Sequence, residues 1–151
     1  MAARLDHVNL VVDDLQAMTK FYQELLGWEV KRSGTIGGDW ISTLTGLDDA
    51  SAEVVYLEGP NGAGVELFTY LHPEGTRPSG IGDPHAKGMR HAAFCVDRLD
   101  PLLASLTAAG AQFVSPIQQV PNTQVSYQGV RKRIVYFHDP EGNLMELCSY
   151  E

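Results

Sequence analysis

Residues 53–70 read Glu-Val-Val-Tyr-Leu-Glu-Gly-Pro-Asn-Gly-Ala-Gly-Val-Glu-Leu-Phe-Thr-Tyr, and residues 133–150 read Arg-Ile-Val-Tyr-Phe-His-Asp-Pro-Glu-Gly-Asn-Leu-Met-Glu-Leu-Cys-Ser-Tyr. At this offset of 80, seven of 18 positions are identical: Val55/Val135, Tyr56/Tyr136, Pro60/Pro140, Gly62/Gly142, Glu66/Glu146, Leu67/Leu147 and Tyr70/Tyr150. Each copy is an apolar run, a Pro/Gly turn and a second apolar run, the pattern of a β-hairpin. A repeat of this kind decides the architecture, because both copies must fold as the same unit.

A second match lies upstream. His7–Leu15 lies over His91–Leu99 at an offset of 84, sharing His7/His91, Val12/Val96, Asp13/Asp97 and Leu15/Leu99. The chain therefore reads as one domain, 1–151, built from two modules, about 4–70 and about 89–151. The Pro- and Gly-rich segment 71–88 is the expected linker.

Each module has one plan. His7–Val12 is a β-branched strand, and Asp13-Asp14 can cap a helix after it. Leu15, Met18, Phe21, Tyr22, Leu25 and Leu26 recur at helical spacing, and Gly27 stops the helix. Strands are expected at Trp28–Arg32, Ala52–Leu57 and Val65–Tyr70. The second copy gives strands at Arg90–Val96, Gln112–Ser115, Val130–His138 and Leu144–Tyr150, with a helix over Asp97–Ala109 that takes Pro101 in its first turn. Ser33–Asp49 and Gln118–Gln128 read as irregular loops at matching places. The fold class is α+β, two tandem βαβββ modules.

Composition removes other classes. With 44% apolar and 20% charged residues, a chain of 151 residues buries roughly two-thirds of its unfolded surface and needs no disulfide framework. No apolar run approaches the roughly 20 residues of a membrane span. The 11 Lys and Arg against 19 Asp and Glu leave a net charge of −8, which argues against nucleic acid as a partner. Two cysteines, Cys95 and Cys148, are too few for a thiolate zinc site and read as small buried residues. The first residues show no apolar signal segment, so a reducing cytoplasm is the expected location.

Four chemistry-bearing residues recur in the repeat: His7 and His91 in the first strands, Glu66 and Glu146 in the last. A single histidine in a strand is more often structural than a ligand, and a glutamate in a strand can simply face water. Two such pairs in register within a repeat point instead to a site of two imidazoles and two carboxylates. That set suits one divalent ion: Ni, Co, Zn, Mn or Fe. Strand alternation puts Asn9 on the face of His7 and Phe68 on the face of Glu66. Trp40 and Tyr127 are further candidate pocket residues; Tyr136 reads as core. Arg131, in the run Arg131-Lys132-Arg133, is a candidate for an anionic substrate group, although cross-strand pairing with acidic neighbours is the commoner fate of such a run. His138 ends a strand and has no ligand-equivalent position.

These segments, Leu5–Leu15, Phe21-Tyr22 with Leu26-Gly27, and Asp139–Asn143 leading into Met145-Glu146-Leu147, resemble the vicinal oxygen chelate (glyoxalase/bleomycin resistance/dioxygenase) superfamily. The resemblance covers nearly the whole chain. It implies a curved mixed eight-stranded sheet around a metal cleft, commonly in a homodimer. His7, Glu66, His91 and Glu146 match the glyoxalase I-like ligand set position by position. The methylmalonyl-CoA epimerase-like set usually has Gln where this chain has Glu66. The implied activity is a metal-dependent lyase, isomerase or epimerase that enolises a small carbonyl compound or thioester, with Glu66 and Glu146 as the proton-transfer groups. An Fe(II) dioxygenase using His7, His91 and Glu146, and a non-catalytic binding or resistance protein, are the alternatives.

Overall fold

The carboxylate of Asp14 accepts a hydrogen bond from the Ala17 amide at 2.9 Å, and this cap starts helix α1 (Leu15–Leu26). Such a cap contributes about 1 kcal/mol. Gly27 ends the helix at φ 64, a left-handed conformation that glycine adopts without a Cβ clash. Between these stops, Met18, Phe21, Tyr22 and Leu25 form the buried stripe, which packs on strands β3 (Ser51–Glu58) and β4 (Gly64–His72).

The structure, a computed structural model, describes residues 2–151. The chain divides into two compact units, Met1–Arg77 and Pro78–Glu151. In the first, β1 (His7–Val11), β2 (Glu29–Gly37), β3 and β4 form a sheet of order β1-β4-β3-β2, with β1 parallel to β4. A short helix α2 (Asp39–Thr45) joins β2 to β3. In the second, β5 (Ala93–Cys95), α3 (Asp100–Ala108), β6 (Gln112–Phe113), β7 (Gln118–Gln119), β8 (Lys132–His138) and β9 (Leu144–Tyr150) give the order β5-β9-β8-β6, with β5 parallel to β9 and β7 added on β8. First strand beside last, then third, then second: both units have the same topology, that of the βαβββ module.

Several details differ from expectation. In place of one eight-stranded sheet there are two sheets, of four and five strands, because the last strand of each unit pairs with that unit's own first strand. Ser33–Asp49 is not a loop: β2 continues to Gly37 and α2 comes next, bounded by Gly38 and Gly46. Helix α3 begins at Asp100 rather than Asp97, which keeps Pro101 in the first turn where its missing N–H costs no helical bond.

The hairpin turns set the register that the site depends on. Buried Asp139 accepts from the amides of Glu141 at 3.0 Å and Asn143 at 2.9 Å, and from the Asn143 side chain at 2.8 Å. This turn pins β8 against β9, so Tyr136 pairs with Glu146. The first unit has glycine at the equivalent position, Gly59, where a Cβ would collide with the Trp28 indole. Among the described residues, no helix is long and apolar enough to cross a membrane.

Candidate functional site

In the first unit, β1 sets Asn9 beside Glu66 from one side and β3 sets Tyr56 beside it from the other. Paired residues on neighbouring strands share a face, and His7, two residues before Asn9, shares it too. The outcome is a cluster. His7 Nε2 lies 3.3 Å from Glu66 Oε2, Asn9 Nδ2 donates to the same oxygen at 3.1 Å, and the His7 and Tyr56 rings meet edge to face at 5.9 Å. His7 Nδ1 is 3.0 Å from the Asp6 carboxylate, which orients the imidazole. That hydrogen bond holds the Asp6 carboxyl below its ordinary range. Tyr56 lies flat because residue 64 is glycine; a Cβ there would overlap its Cζ and Oη.

The second unit repeats the cluster. Ala93 of β5 pairs with Glu146, and the Glu146 amide donates to Ala92 O at 3.0 Å. His91 Nε2 lies 3.4 Å from Glu146 Oε2, and its ring centroid is 5.0 Å from that of Tyr136. Tyr136 is therefore half-buried on the face of the His–Glu pair and is not a core residue. Two donors, each about 2.1 Å from one ion at angles of about 90–109°, stand about 3.0–3.4 Å apart. Both His–Glu pairs have this spacing, so the donor chemistry fits a divalent ion. Among the described residues, no group of three or more His, Cys, Asp or Glu is placed to hold a metal ion; each His–Glu pair is a two-donor set.

The two clusters differ in what else holds the carboxylate. Asn9 corresponds to Ala93, and Lys132 to Ala52. Lys132 Nζ lies 3.1 Å from Glu146 Oε1, with the side chain 16% exposed and that of Glu146 7% exposed. Burial disfavours the lysine's charge, but the hydrogen bond to Glu146 and its negative charge outweigh that and hold the ammonium above its ordinary range. The ammonium also lies 5.8 Å from the ring centroids of both Tyr127 and Tyr150.

The remaining candidates scatter. Phe68 shares the Glu66 face of β4, with its ring 6.0 Å from that of Tyr70. Trp40 sits on α2, 57% exposed. Arg131 pairs with Glu151 at 3.4 Å, and Arg133 bridges Asp100 at 2.8 Å and Glu151 at 3.0 Å. Lys132 is thus the cation of that run that reaches a glutamate of the repeat. Strand alternation carried the signal for it: Lys132, Ile134, Tyr136 and His138 fall on the Glu146 face, and Arg133 on the other. His138 Nε2 lies 3.0 Å from Gly82 O, and both line a pocket of about 430 Å³ with Tyr136, Gln112, Val114 and Leu144.

Comparison with known proteins agrees with the fold. The chain is 29% identical over 148 residues to the uncharacterized protein YaeR of Escherichia coli, covering 95% of this chain and 94% of that one. A glyoxalase family protein from Bacillus cereus superposes with a TM-score of 0.85 at 27% identity, covering 99% of this chain and 95% of its own. The fosfomycin resistance protein FosX of Listeria monocytogenes, solved with Mn(II) and 1S,2S-dihydroxypropylphosphonic acid, shares the fold. Its TM-score is 0.61 at 21% identity, covering 97% of this chain and 90% of that one. The family profile matches residues 4–147, and the chain belongs to the Glyoxalase/Bleomycin resistance protein/Dioxygenase superfamily.

Proposed function

We propose that the protein is a divalent-metal-dependent lyase, isomerase or epimerase of the glyoxalase I type, which moves the proton next to a carbonyl in a small carbonyl compound or thioester. The observation that carries this reading is the recurrence of one His–Glu pair at 3.3 and 3.4 Å in both units. His7, Glu66, His91 and Glu146 are the proposed ligands of one ion: Ni, Co, Zn, Mn or Fe. A bound ion supplies a Lewis acid that draws electron density from the substrate carbonyl. The protein's own groups do the rest. Glu66 and Glu146 are the carboxylates that take and return the proton. Asn9, Phe68, Tyr127, Trp40 and Arg131 are the proposed substrate contacts. The presence of Mn(II) in FosX, a protein of the same fold, supports a metal in this scaffold. A homodimer in the cytoplasm is part of the same proposal.

The test is a deuterium wash-in assay on metal-supplemented protein with α-hydroxy ketones, hemithioacetals and acyl-CoA esters. We expect incorporation at the α-carbon that a chelator abolishes. Glu66→Gln and Glu146→Gln should each lower the rate by at least about 10²-fold, the scale of a positioned proton-transfer group. Full exchange in both variants would overturn the reading. Oxygen consumption that tolerates Glu66→Gln would replace it with a dioxygenase.

A further inference from the structure

A row of side chains crosses the first unit's sheet on one face. Arg32 of β2 pairs with Tyr56 of β3, Tyr56 with Glu66 of β4, and Glu66 with Asn9 of β1. Residues paired across neighbouring strands share a face, so Arg32 stands on the side of the sheet that carries the His7–Glu66 pair. Its guanidinium carbon lies 4.4 Å from the Tyr56 ring centroid, and the same ring meets the His7 imidazole. Arg4 and Arg77, the other arginines of this unit, pair with the carboxylates of Asp6 and Asp13. Arg32 is exposed and, among the described residues, has no carboxylate partner. The fold itself does not require a cation there. In the second unit Val114, whose amide donates to Tyr136 O at 2.9 Å, takes the same place beside Tyr136.

We propose that Arg32 binds an oxyanion group of the substrate, a carboxylate or a phosphonate, so that the small carbonyl compound handled at the His7–Glu66 pair is an anion. The inference rests on the proton-transfer reading above and adds the class of its substrate. Guanidinium N–H donors lie in the plane of the group, so a guanidinium over an aromatic ring keeps its fork free for the two oxygens of an anion. The ring contact also holds a long side chain in place before the ligand arrives, which lowers the entropy cost of binding. At a net charge of −8 the protein disfavours anions at long range, so an anionic substrate needs a cation that no carboxylate of the protein already holds. Two strand spacings of about 4.8 Å separate Arg32 from Glu66 along the row, a span that one small molecule covers.

Binding tests this without turnover. Isotope-labelled protein is titrated with levulinate, with its methyl ester and with the phosphonate of the same chain, followed by NMR, with circular dichroism as the check on folding. Levulinate should bind at least about tenfold more tightly than the ester, the lower end for a hydrogen bond to a charged group. It should also shift the signals of Arg32 and Tyr56. Arg32→Met should erase the preference for the acid, and Arg32→Lys should keep part of it. If Arg32→Met does not fold, Arg32→Gln takes its place on the same criteria. Phosphonate bound ahead of levulinate assigns the site to a phosphonate; the reverse order assigns it to a carboxylate. Equal binding of acid and ester to wild type, no binding of any probe, or a preference that survives in Arg32→Met overturns the inference. Deuterium wash-in judges the proton-transfer reading separately. Exchange without any preference for the acid overturns only the role of Arg32. A preference for the acid with no exchange on any carbonyl substrate overturns the proton-transfer reading instead.

Discussion

Tyr136 stands directly across the β8–β9 ladder from Glu146, and Tyr56 occupies the same place across from Glu66. Each ring also touches the histidine of its own cluster, at 5.0 and 5.9 Å between centroids. The repeated unit is therefore His–Glu–Tyr rather than His–Glu. The aromatic ring closes one side of the imidazole, and the pairing that aligns the strands also aligns the site.

That contact has a measurable consequence. Aromatic pairs contribute about 0.5–1.5 kcal/mol beyond their buried area. Tyr136→Leu keeps an apolar side chain on the half-buried position but removes the ring that backs His91. It should weaken Co(II) binding by about two- to tenfold, the same energy expressed as a ratio. Tyr136→Phe keeps the ring and should bind as wild type does. Equal losses in the two variants would place the effect on the hydroxyl instead.

Asn9 offers a test in the other unit. Its amide donates to Glu66 Oε2 at 3.1 Å, the oxygen nearest His7. A hydrogen bond to a charged group contributes about 1.5–3 kcal/mol when buried, and less at an exposed residue such as Asn9. Asn9→Ala should therefore alter folding stability by less than about 1 kcal/mol. The same change should lower metal affinity several-fold by freeing the Glu66 carboxylate to rotate. Urea unfolding of apo protein beside Co(II) titration separates the two effects. A large stability loss with unaltered metal affinity would contradict this role.

Much of this was legible in the sequence, for identifiable reasons. Helix α1 carries its own boundaries, Asp14 and Gly27, around a clean stripe of Met18, Phe21, Tyr22 and Leu25. The hairpins announce themselves through Pro60 with Gly62 and Pro140 with Gly142. Pairing His7 with Glu66 needed only the repeat, since the second copy shows the same two residues at the same places. Helix α2 was not legible, because seven residues between Gly38 and Gly46 are too few to show a period. Lys132 was hidden in a charge run that reads as one basic patch until strand alternation splits it. Tyr136, an aromatic amid apolar residues, has the composition of core; only the register to Glu146 distinguishes it.

Gly64 is where the first cluster is least tolerant of change. The Tyr56 ring occupies the space that a Cβ at residue 64 would need, overlapping at Cζ and Oη. Gly64 pairs with His7 on β1 and with Glu58 on β3, so the backbone cannot retreat without breaking ladder bonds. The ring must move instead. Gly64→Ala should destabilise the protein by about 1–3 kcal/mol, the usual cost of inserting a methyl into a packed site. The double variant Gly64→Ala with Tyr56→Ala should lose less than the sum of the two single losses, because with the ring gone the added methyl meets no obstacle. Thermal unfolding of the three variants decides it, and additive losses would show that ring and glycine are not in conflict.

Cys95 and Cys148 face each other across the β5–β9 pairing, one exposed and the other buried. Burial pushes the Cys148 thiol up to about 11, with the neighbouring Cys95 adding to the shift. The nucleophile in alkylation is the thiolate, so at pH 8 only about one Cys148 in a thousand is competent at any moment. Iodoacetamide should modify Cys95 first and leave Cys148 largely intact, as peptide mapping by mass spectrometry would show. Stability carries the same signature. A thiol raised in the folded state stabilises fully below its unfolded value near 9, and that contribution is lost as pH rises through about 11. Replacing Cys148 by Ala should flatten stability between pH 9 and about 11 relative to wild type, measured against Cys95→Ala, which keeps the buried thiol. Alkylation of both cysteines at one rate in folded protein would show that Cys148 is not protected by burial.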